Sequence, residues 1–284
     1  MKLKFICFVL SLFVVTSISA DKVSINENGA ELGYLKMGQG RRTLILVPGI
    51  GDLKENYLDF ANQMAKEATV YALDLRGLGE SSVKFDSYGA DETGSDIVFF
   101  IKHFELTNVT IVSNSMGAAS AIYAATRLPE RVEAIVLTGP FIRNTEMGFF
   151  LKSAIGMMFL GPWGPTMFKS FYKDLYPVNK PLDLEDHSNR IKTNLSEDGR
   201  MSAVRSMFYA GKPESERSIS NLKTKVAVVM GDKDPDFDDP LQEAKEIATL
   251  TKGEYYMFEN SGHYPYKEDP SRLKMIIIEL WQKK

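Results

Sequence analysis

The chain of 284 residues is long enough for one large domain with an insertion, and 44% of its residues are hydrophobic, 25% are charged, and its formal net charge is −3. This balance excludes an intrinsically disordered chain and indicates an ordinary folded core. A mildly acidic chain without a Lys/Arg block also lacks the electrostatic means to bind nucleic acid, so we expect no nucleic-acid partner, whereas this charge is compatible with a small-molecule substrate. The composition carries no information on the oligomeric state.

The first twenty residues have the layout of a secretory signal peptide. Lys2 and Lys4 precede an apolar run over residues 5–15, and small or polar residues then lead to a cleavage position after Ala20. This run is short for a membrane span of about 20 residues, so we predict cleavage, export to the periplasm or beyond, and no stable membrane span afterwards. An uncleaved segment would anchor the protein to a membrane. The single cysteine, Cys7, lies in this segment, so the mature protein would contain no disulfide.

Alternating strand and helix patterns follow. Residues 23–37 alternate in polarity and predict an antiparallel hairpin that turns at residues 27–29. Short runs rich in β-branched residues then predict buried strands at Thr43–Val47, Thr69–Leu73, Val109–Val112, Val132–Leu137, Lys225–Met230 and Glu254–Phe258. Helical periodicity marks Tyr57–Glu67, Ser95–Leu106, Met116–Arg127, Leu241–Thr251 and Ser271–Gln282. This alternation predicts an α/β fold with a mostly parallel, doubly wound sheet and helices on both faces.

The alternation stops over residues 141–221, a stretch dense in Met, Phe and Tyr that contains no convincing strand. We predict a helical cap there, inserted into a core formed by residues 21–140 and 222–284. Apolar cap side chains could line a substrate pocket, and the candidates are Phe141, Met147, Phe150 and Trp163. The alternative is that most apolar residues of the cap simply pack it onto the core.

The sharpest motif is the sequence Val-Ser-Asn-Ser-Met-Gly-Ala at residues 112–118, between a predicted strand and a predicted helix. It matches the G-x-S-x-G nucleophile elbow with Ser113 in place of the first glycine. Small residues are needed two positions before and after the nucleophile because the backbone doubles back past them. The pattern predicts Ser115 as the nucleophile, and it places the backbone N–H of Met116 at a helix N-terminus, where an oxyanion would form.

Only three histidines could serve as the general base. His103 lies in a predicted helix and is expected at the surface or its boundary, and His187 lies in the cap, where we expect a solvated position. His263 follows the last predicted strand and precedes the last helix. Where a nucleophile elbow belongs to a catalytic triad, the chain order is Ser…Asp…His, so the histidine comes late in the sequence. We therefore predict that His263 takes the proton of Ser115 and later gives a proton to the leaving group of the substrate.

The acid of a catalytic triad should follow the penultimate core strand, where five aspartates lie within residues 232–239. We predict Asp234, which stands three residues past the glycine that ends the strand and is fixed by the following proline. Asp236 is the alternative. The other three aspartates are expected to form turns, cap a helix or contact solvent. The chosen carboxylate would orient His263 and stabilise its imidazolium form.

A second oxyanion donor is expected from the turn after the first parallel strand, Val-Pro-Gly-Ile-Gly-Asp at residues 47–52. Its glycines let backbone N–H groups approach a substrate closely, and Ile50 is the candidate through its amide. Pro48 occupies the position where a histidine often precedes this glycine. Chemistry of this kind needs neither a metal ion nor a cofactor, and we predict neither.

With these residues in place, the chain resembles the serine-nucleophile branch of the α/β-hydrolase superfamily over nearly all of its mature length. The resemblance includes residues 74–81, Asp-Leu-Arg-Gly-Leu-Gly-Glu-Ser, which match the family's D-x-R-G-x-G-x-S turn. In the family this turn supports loops near the active site. The resemblance implies the α/β-hydrolase fold, with the cap inserted into the core.

The resemblance also implies a range of activities. Hydrolysis of carboxylic esters with small or medium apolar groups, through an acyl-serine intermediate, is the function we expect. The elbow around Ser115 resembles that of C–C bond hydrolases, although their longer glycine-rich oxyanion loop is absent, and this activity is the nearest alternative. Dehalogenases and epoxide hydrolases of the fold use an aspartate nucleophile, which Ser115 excludes. A receptor that binds a small ligand and turns over slowly is a third possibility that a triad alone does not exclude.

Overall fold

The computed structural model describes residues 19–25, 29–143, 156–157 and 159–283. Within this part of the chain, eight strands form one sheet. They are β1 Ser19–Ser24, β2 Glu31–Met37, β3 Arg42–Val47, β4 Ala68–Leu73, β5 Val109–Asn114, β6 Val132–Thr138, β7 Lys225–Gly231 and β8 Glu254–Phe258. Their order across the sheet is β1-β2-β4-β3-β5-β6-β7-β8, so β5, which leads to Ser115, and β7, which leads to Asp234, flank β6.

The sheet is parallel except at one edge. β1 pairs antiparallel with β2, and β2 pairs antiparallel with β4, whereas every other neighbouring pair is parallel. The central strands are buried almost throughout, as expected where helices cover both faces of a parallel sheet. The predicted α/β fold is confirmed: the sheet is mostly parallel and doubly wound, with helices on both faces.

Helices connect the strands. They are α1 Leu58–Met64, α2 Ala90–His103, α3 Gly117–Arg127, α4 Gly164–Asp174, α5 Leu184–Leu195, α6 Arg200–Tyr209, α7 Pro213–Ser218, α8 Pro240–Thr251, α9 Pro265–Glu268 and α10 Pro270–Gln282, with short 3₁₀ turns at Lys54–Tyr57 and Ile219–Asn221. In the core, α2 packs against α3 and α1 packs against α10. No helix of the described residues is both long and apolar enough to cross a membrane.

The observed elements differ from the sequence predictions at two places. β1 begins at Ser19, so its first two residues fall inside the predicted signal peptide, while the predicted hairpin turn lies mostly outside the described residues. Helix α2 begins at Ala90, five residues before the predicted start. Gly94 lies within the helix, where a side chain would collide with Tyr123, so glycine allows α2 to pack closely on α3.

Between β6 and β7 the described residues contain four helices, α4 to α7, and no strand. Helix α5 is tied to the core near its end, where the side-chain amide of Asn194 accepts from Gly79 N at 2.9 Å and donates to Gly79 O at 3.1 Å. The following helix adds a bond from Arg200 Nη1 to Ser81 O at 3.0 Å. Because Gly79 and Ser81 belong to the turn at residues 74–81, this turn holds the cap as well as the loops beneath it.

The same turn is fixed from within by a buried ion pair. Lys54 Nζ lies 2.7 Å from Asp74 Oδ2, and both side chains are almost completely buried. Asp74 also accepts the backbone N–H groups of Lys54 and Glu80, so the carboxylate is well supplied with donors. These contacts support a structural role for the turn at residues 74–81.

Candidate catalytic site

Ser115 lies on a sharp turn between β5 and α3. Its φ is +54°, a left-handed conformation that a residue with a side chain adopts only where the surrounding structure enforces it. The turn packs tightly, because a Cβ on Gly117 would lie 2.8 Å from Pro48 O. Ser113, at the position of the missing first glycine, is buried and small enough to fit, with Oγ 3.5 Å from Val136 O. The local geometry is therefore that of a nucleophile elbow.

The loop after β3 passes directly over this serine. A Cβ on Gly49 would lie 2.8 Å from Ser115 Cβ, so only glycine fits there. The backbone N–H groups of Ile50 and Met116 donate to no acceptor within the described part of the chain. Met116 also directly precedes α3, where free amides and the helix dipole favour negative charge. These two amides are available to a developing oxyanion beside Ser115.

His263 and Asp234 form a buried pair on the loops after β8 and β7. His263 Nδ1 lies 2.8 Å from Asp234 Oδ2, and both side chains are at most 2% exposed. Asp236 Oδ2 lies 3.8 Å from the same nitrogen, and its side chain is 25% exposed. The backbone N–H of Asp236 donates to Asp234 Oδ1 at 3.1 Å, which helps to fix the nearer carboxylate. The geometry favours Asp234 as the partner of the histidine over Asp236.

The charge of the histidine depends on this acidic surrounding. Burial disfavours the imidazolium form, but the negative charges of Asp234, Asp236 and Asp52 outweigh it and raise the pKa of His263 to about 9. Burial also raises the pKa of the Asp236 carboxyl, as does the neighbouring charge of Asp234, while His263 opposes that rise. A general base must be neutral to accept a proton, so the activity of such a site would increase with pH toward this range.

Backbone contacts fix the loop that carries His263. Asn114 Nδ2 donates to His263 O at 2.9 Å, and the N–H of His263 donates to Leu175 O at 3.0 Å. Asn114 immediately precedes Ser115, so it links the two loops, a role that no sequence motif predicts. The hydroxyl of Ser115 makes no hydrogen bond to His263 within the described residues. Such bonds are often long before substrate binds.

The candidate pocket residues of the cap have different positions. Phe141 stacks on Phe237 with ring centroids 4.8 Å apart and lies 6.2 Å from the ring of His263. Both phenylalanines border a cavity of about 570 Å³ that Asp236 also lines. Trp163 is 55% exposed at the start of α4, while Met147 and Phe150 lie outside the described residues.

Other apolar cap residues pack the cap onto itself and the core, as the alternative interpretation proposed. Phe159, Phe168 and Tyr172 are almost fully buried, and Phe159 stacks on Phe208. A larger cavity of about 910 Å³ borders the turn at residues 80–87, but no member of the Ser115, Asp234 and His263 set lines it. None of these three residues lines the cavity beside Phe141 either. That cavity is still the better candidate for part of a substrate site, because Phe141 and Asp236, which line it, both lie close to His263.

The expected solvated position of His187 is wrong. Its side chain is buried, and Nε2 lies 2.7 Å from Oδ1 of Asp52, a fully buried carboxylate in the loop after β3. Sequence reasoning also missed Asp52 itself, although a carboxylate directly after Gly51 in a loop crowded with glycines is an available signal. No sequence pattern connects it to His187, because 135 positions separate the two residues.

Within the part of the chain that the structure describes, the donor atoms of Asp234, Asp236 and His263 lie within 4.8 Å of one another, close enough to hold a metal ion. Nδ1 of the histidine is already engaged with Asp234, and Asp234 Oδ1 accepts a backbone N–H. These bonds are those that orient a catalytic histidine. The cluster therefore fits a proton-transfer role without a metal.

Comparison with known proteins identifies the family of the chain. The model of the alpha/beta hydrolase fold family matches residues 42–270. N-formylmaleamate deformylase of Pseudomonas putida is 34% identical over 118 residues, which cover 41% of this chain and 44% of that enzyme. 2-hydroxymuconate semialdehyde hydrolase of Pseudomonas sp. strain CF600 is 24% identical over 274 residues, which cover 88% of this chain and 94% of the relative.

Among solved structures, a membrane phospholipase A described as a bacterial virulence factor superposes with a TM-score of 0.76. It is 22% identical, and the superposition covers 93% of this chain and 86% of that one. The chain spans less than half the length of the first curated relatives that it matches. These similarities establish the family and its fold.

Proposed function

We propose that this chain, which belongs to the α/β-hydrolase family, is a serine hydrolase that cleaves carboxylic esters of small or medium apolar groups. Membership of the family supports hydrolysis, and both the activity and the bond that is cleaved are our proposal. The observation that carries it is the elbow itself, where Ser115 at φ +54° lies under Gly49, next to the amides of Ile50 and Met116, which donate to no acceptor among the described residues. The buried pair of His263 and Asp234 supplies a base on the neighbouring loop.

In the proposed reaction, Ser115 Oγ attacks the acyl carbon while Nε2 of His263 takes the hydroxyl proton. Asp234 holds Nδ1–H and stabilises the imidazolium that forms. The amides of Ile50 and Met116 bind the oxyanion of the tetrahedral intermediate. Collapse of the intermediate breaks the ester C–O bond, and the leaving alkoxide receives the proton from Nε2. Water then repeats the sequence on the acyl-serine and releases the acid.

Ester cleavage requires the fewest groups beyond those described. An alkoxide leaves with one proton, which the imidazolium of His263 can supply. Breaking a C–C bond expels a carbanion, which the substrate must stabilise and which must be protonated on carbon. One observation favours this second function all the same: the relative that aligns over 88% of the chain is named 2-hydroxymuconate semialdehyde hydrolase. We therefore keep C–C bond hydrolysis as the alternative.

The test is turnover of p-nitrophenyl esters of graded chain length, compared with turnover of 2-hydroxymuconate semialdehyde. We expect an initial burst of p-nitrophenol followed by steady turnover, both abolished in Ser115→Ala and unchanged by EDTA. Turnover of the semialdehyde with negligible ester cleavage would replace the proposal with its alternative. Stoichiometric p-nitrophenol release without turnover would indicate a receptor-like protein and would contradict the proposal.

We also propose that residues 1–20 direct export and are removed. The support is the charged and then apolar layout of that segment. Removal would shorten β1 but leave residues 21–24 paired with β2. The intact mass of the protein recovered from the periplasm or the medium should begin at Asp21. A protein that retains Met1 in the membrane fraction would instead indicate an anchor.

A further inference from the structure

Asp52 is a fully buried carboxylate that the proposed reaction does not use. Four groups donate to it or share a proton with it: His187 Nε2 at 2.7 Å and the N–H of Leu53 at 2.8 Å on Oδ1, and Asn56 Nδ2 at 2.7 Å and the hydroxyl of Tyr266 at 3.0 Å on Oδ2. A buried carboxylate is costly unless such partners hold it, so these bonds define one geometry for the loop that contains it.

The partners come from three parts of the molecule. Asp52 lies two residues beyond Ile50, and its own N–H closes the turn onto Gly49 O at 3.3 Å. His187 lies in the first turns of cap helix α5. Tyr266 lies three residues after His263, in the short helix α9. The carboxylate therefore joins the oxyanion loop, the cap and the loop of the catalytic base.

A second cap residue touches the same loop. Gly51 has a φ of +74°, and a Cβ there would overlap the ring of Phe168, which belongs to cap helix α4. The cap thus contacts two successive residues of the loop, Gly51 by packing and Asp52 by a hydrogen bond. Both contacts directly follow Ile50, whose amide is the proposed oxyanion donor.

We propose that His187 is a positioning residue of the hydrolytic reaction, which holds the oxyanion loop in its working geometry through Asp52. This inference rests on the proposed serine hydrolase function. His187 does not touch the reacting atoms. Its bond to Asp52 attaches the cap to the core and also fixes the loop that carries the Ile50 amide. The position of the cap and the geometry of the oxyanion hole are therefore coupled. Losing the bond lets the Ile50 amide move away from the oxyanion, which weakens binding of the transition state more than binding of the substrate.

General attachment of the cap is the rival explanation, and the same helix offers its control. Asn194, near the other end of α5, binds Gly79 through two hydrogen bonds and has no contact with Asp52. Asn194→Ala loosens the helix without changing the bonds of the oxyanion loop. If His187 served only to attach the cap, the two substitutions would affect the kinetics alike.

The decisive comparison is His187→Asn with His187→Gln. The amide nitrogen of Gln can occupy the position of Nε2 and donate to Asp52, whereas the shorter Asn side chain does not reach it. We expect His187→Asn to lower kcat by about tenfold, the order expected for losing a hydrogen bond to a charged group, with little change in KM. His187→Gln should recover most of kcat. Asn194→Ala should leave kcat near wild type.

Binding of a boronic acid that forms a tetrahedral adduct with the serine gives a second readout. It should weaken in His187→Asn in parallel with kcat and stay unchanged in Asn194→Ala. Thermal unfolding checks that each variant is folded, and His187→Leu, which is close in volume, replaces His187→Asn if the latter does not fold.

A rise in KM alone, equal losses in His187→Asn and Asn194→Ala, or no recovery in His187→Gln would each overturn the inference. Wild-type protein that cleaves no ester and reacts with no fluorophosphonate would instead overturn the proposed function beneath it. The two failures are therefore distinguishable.

Discussion

The molecule contains two buried histidine–aspartate pairs with nearly the same geometry but different surroundings. The His263–Asp234 pair joins two core loops at 2.8 Å, and the His187–Asp52 pair joins the cap to the oxyanion loop at 2.7 Å. Asp234 binds Nδ1 of its histidine, which leaves Nε2 for the proposed exchange with Ser115. Asp52 instead binds Nε2 of His187, and tyrosines and an asparagine surround that carboxylate.

The difference shows that a buried histidine–aspartate pair is not by itself a catalytic unit. What distinguishes the first pair is its position near Ser115, whose φ is +54°, and near two backbone amides that donate to no acceptor in the described part of the chain. The second pair has the same chemistry but borders side chains that only fix its position. In our proposal it contributes to the reaction only by holding the oxyanion loop after β3 in place.

The largest expected effect comes from making the same substitution at both histidines. His263→Gln removes the proton acceptor and should lower kcat by about 10⁴-fold or more, because the members of a triad act as a unit. His187→Gln should retain most of the activity. Steady-state rates with p-nitrophenyl esters measure both. Comparable losses at the two positions would remove the distinction between the pairs.

The next effect separates the two acids near His263. Asp234→Asn should lower kcat by roughly 10³- to 10⁴-fold, since the imidazole loses the partner that sets its tautomer and stabilises its charge. Asp236→Asn should cause no comparable loss, because its carboxylate is 3.8 Å away and partly exposed. Rates are to be compared on the alkaline plateau of each enzyme. A larger loss at Asp236 would reverse the assignment.

A smaller effect concerns pH. With the pKa of His263 raised to about 9 by its acidic neighbours, kcat/KM of the wild type should rise with pH through that range as the imidazole loses its proton. Asp236→Asn removes one of the charges that favour imidazolium, so the rise should move down by roughly one pH unit. Asp238→Asn, on the same loop, is the control. A profile that does not move would mean that Asp236 does not influence the base.

The smallest expected effect is on stability, and it concerns Glu268, which lies near the His263–Asp234 pair and not near the His187–Asp52 pair. Glu268 accepts the N–H of Gly262, next to His263, and burial raises its pKa to about 7. A raised pKa means that its contribution to stability is full below about 4.5 and is lost as the pH rises through about 7. Glu268→Gln should therefore raise the unfolding temperature at pH 8 by roughly 2–4 °C and have no effect at pH 4.5.

Substitution of the exposed Glu259, Glu259→Gln, serves as the control for this measurement. It should not change the unfolding temperature at pH 8 or at pH 4.5. A stabilisation of Glu268→Gln that is equal at both pH values would contradict the assignment of the effect to the charge of Glu268.

Much of the fold follows from local sequence. Strands such as β3, β6 and β7 are buried on both faces and therefore read as apolar runs, and their predicted bounds lie within one residue of those observed. Helix α2 begins five residues before its predicted start, and the added turn contains Gly94, a weak helix former. The reason for glycine at this position is the close approach of Tyr123, a tertiary contact that the local pattern does not contain.

Some residues of the candidate site can likewise be predicted from local sequence, whereas others depend on tertiary contacts. The turn around Ser115 and the loop after β3 are local motifs, so sequence could identify them. The choice of Asp234 over Asp236 depends on distances of 2.8 and 3.8 Å to one nitrogen, which follow from how two loops pack. His187 was placed in solvent because a polar cap residue usually lies there, and only the folded cap brings it to Asp52.

The central claim is that Ser115 is a nucleophile activated by its surroundings. The most direct measurement is peptide mapping by mass spectrometry after reaction of the full chain with a fluorophosphonate. The account predicts one adduct per chain, on the peptide that contains Ser115, and none in Ser115→Ala. An adduct on another residue, or labelling that persists in Ser115→Ala, would contradict it.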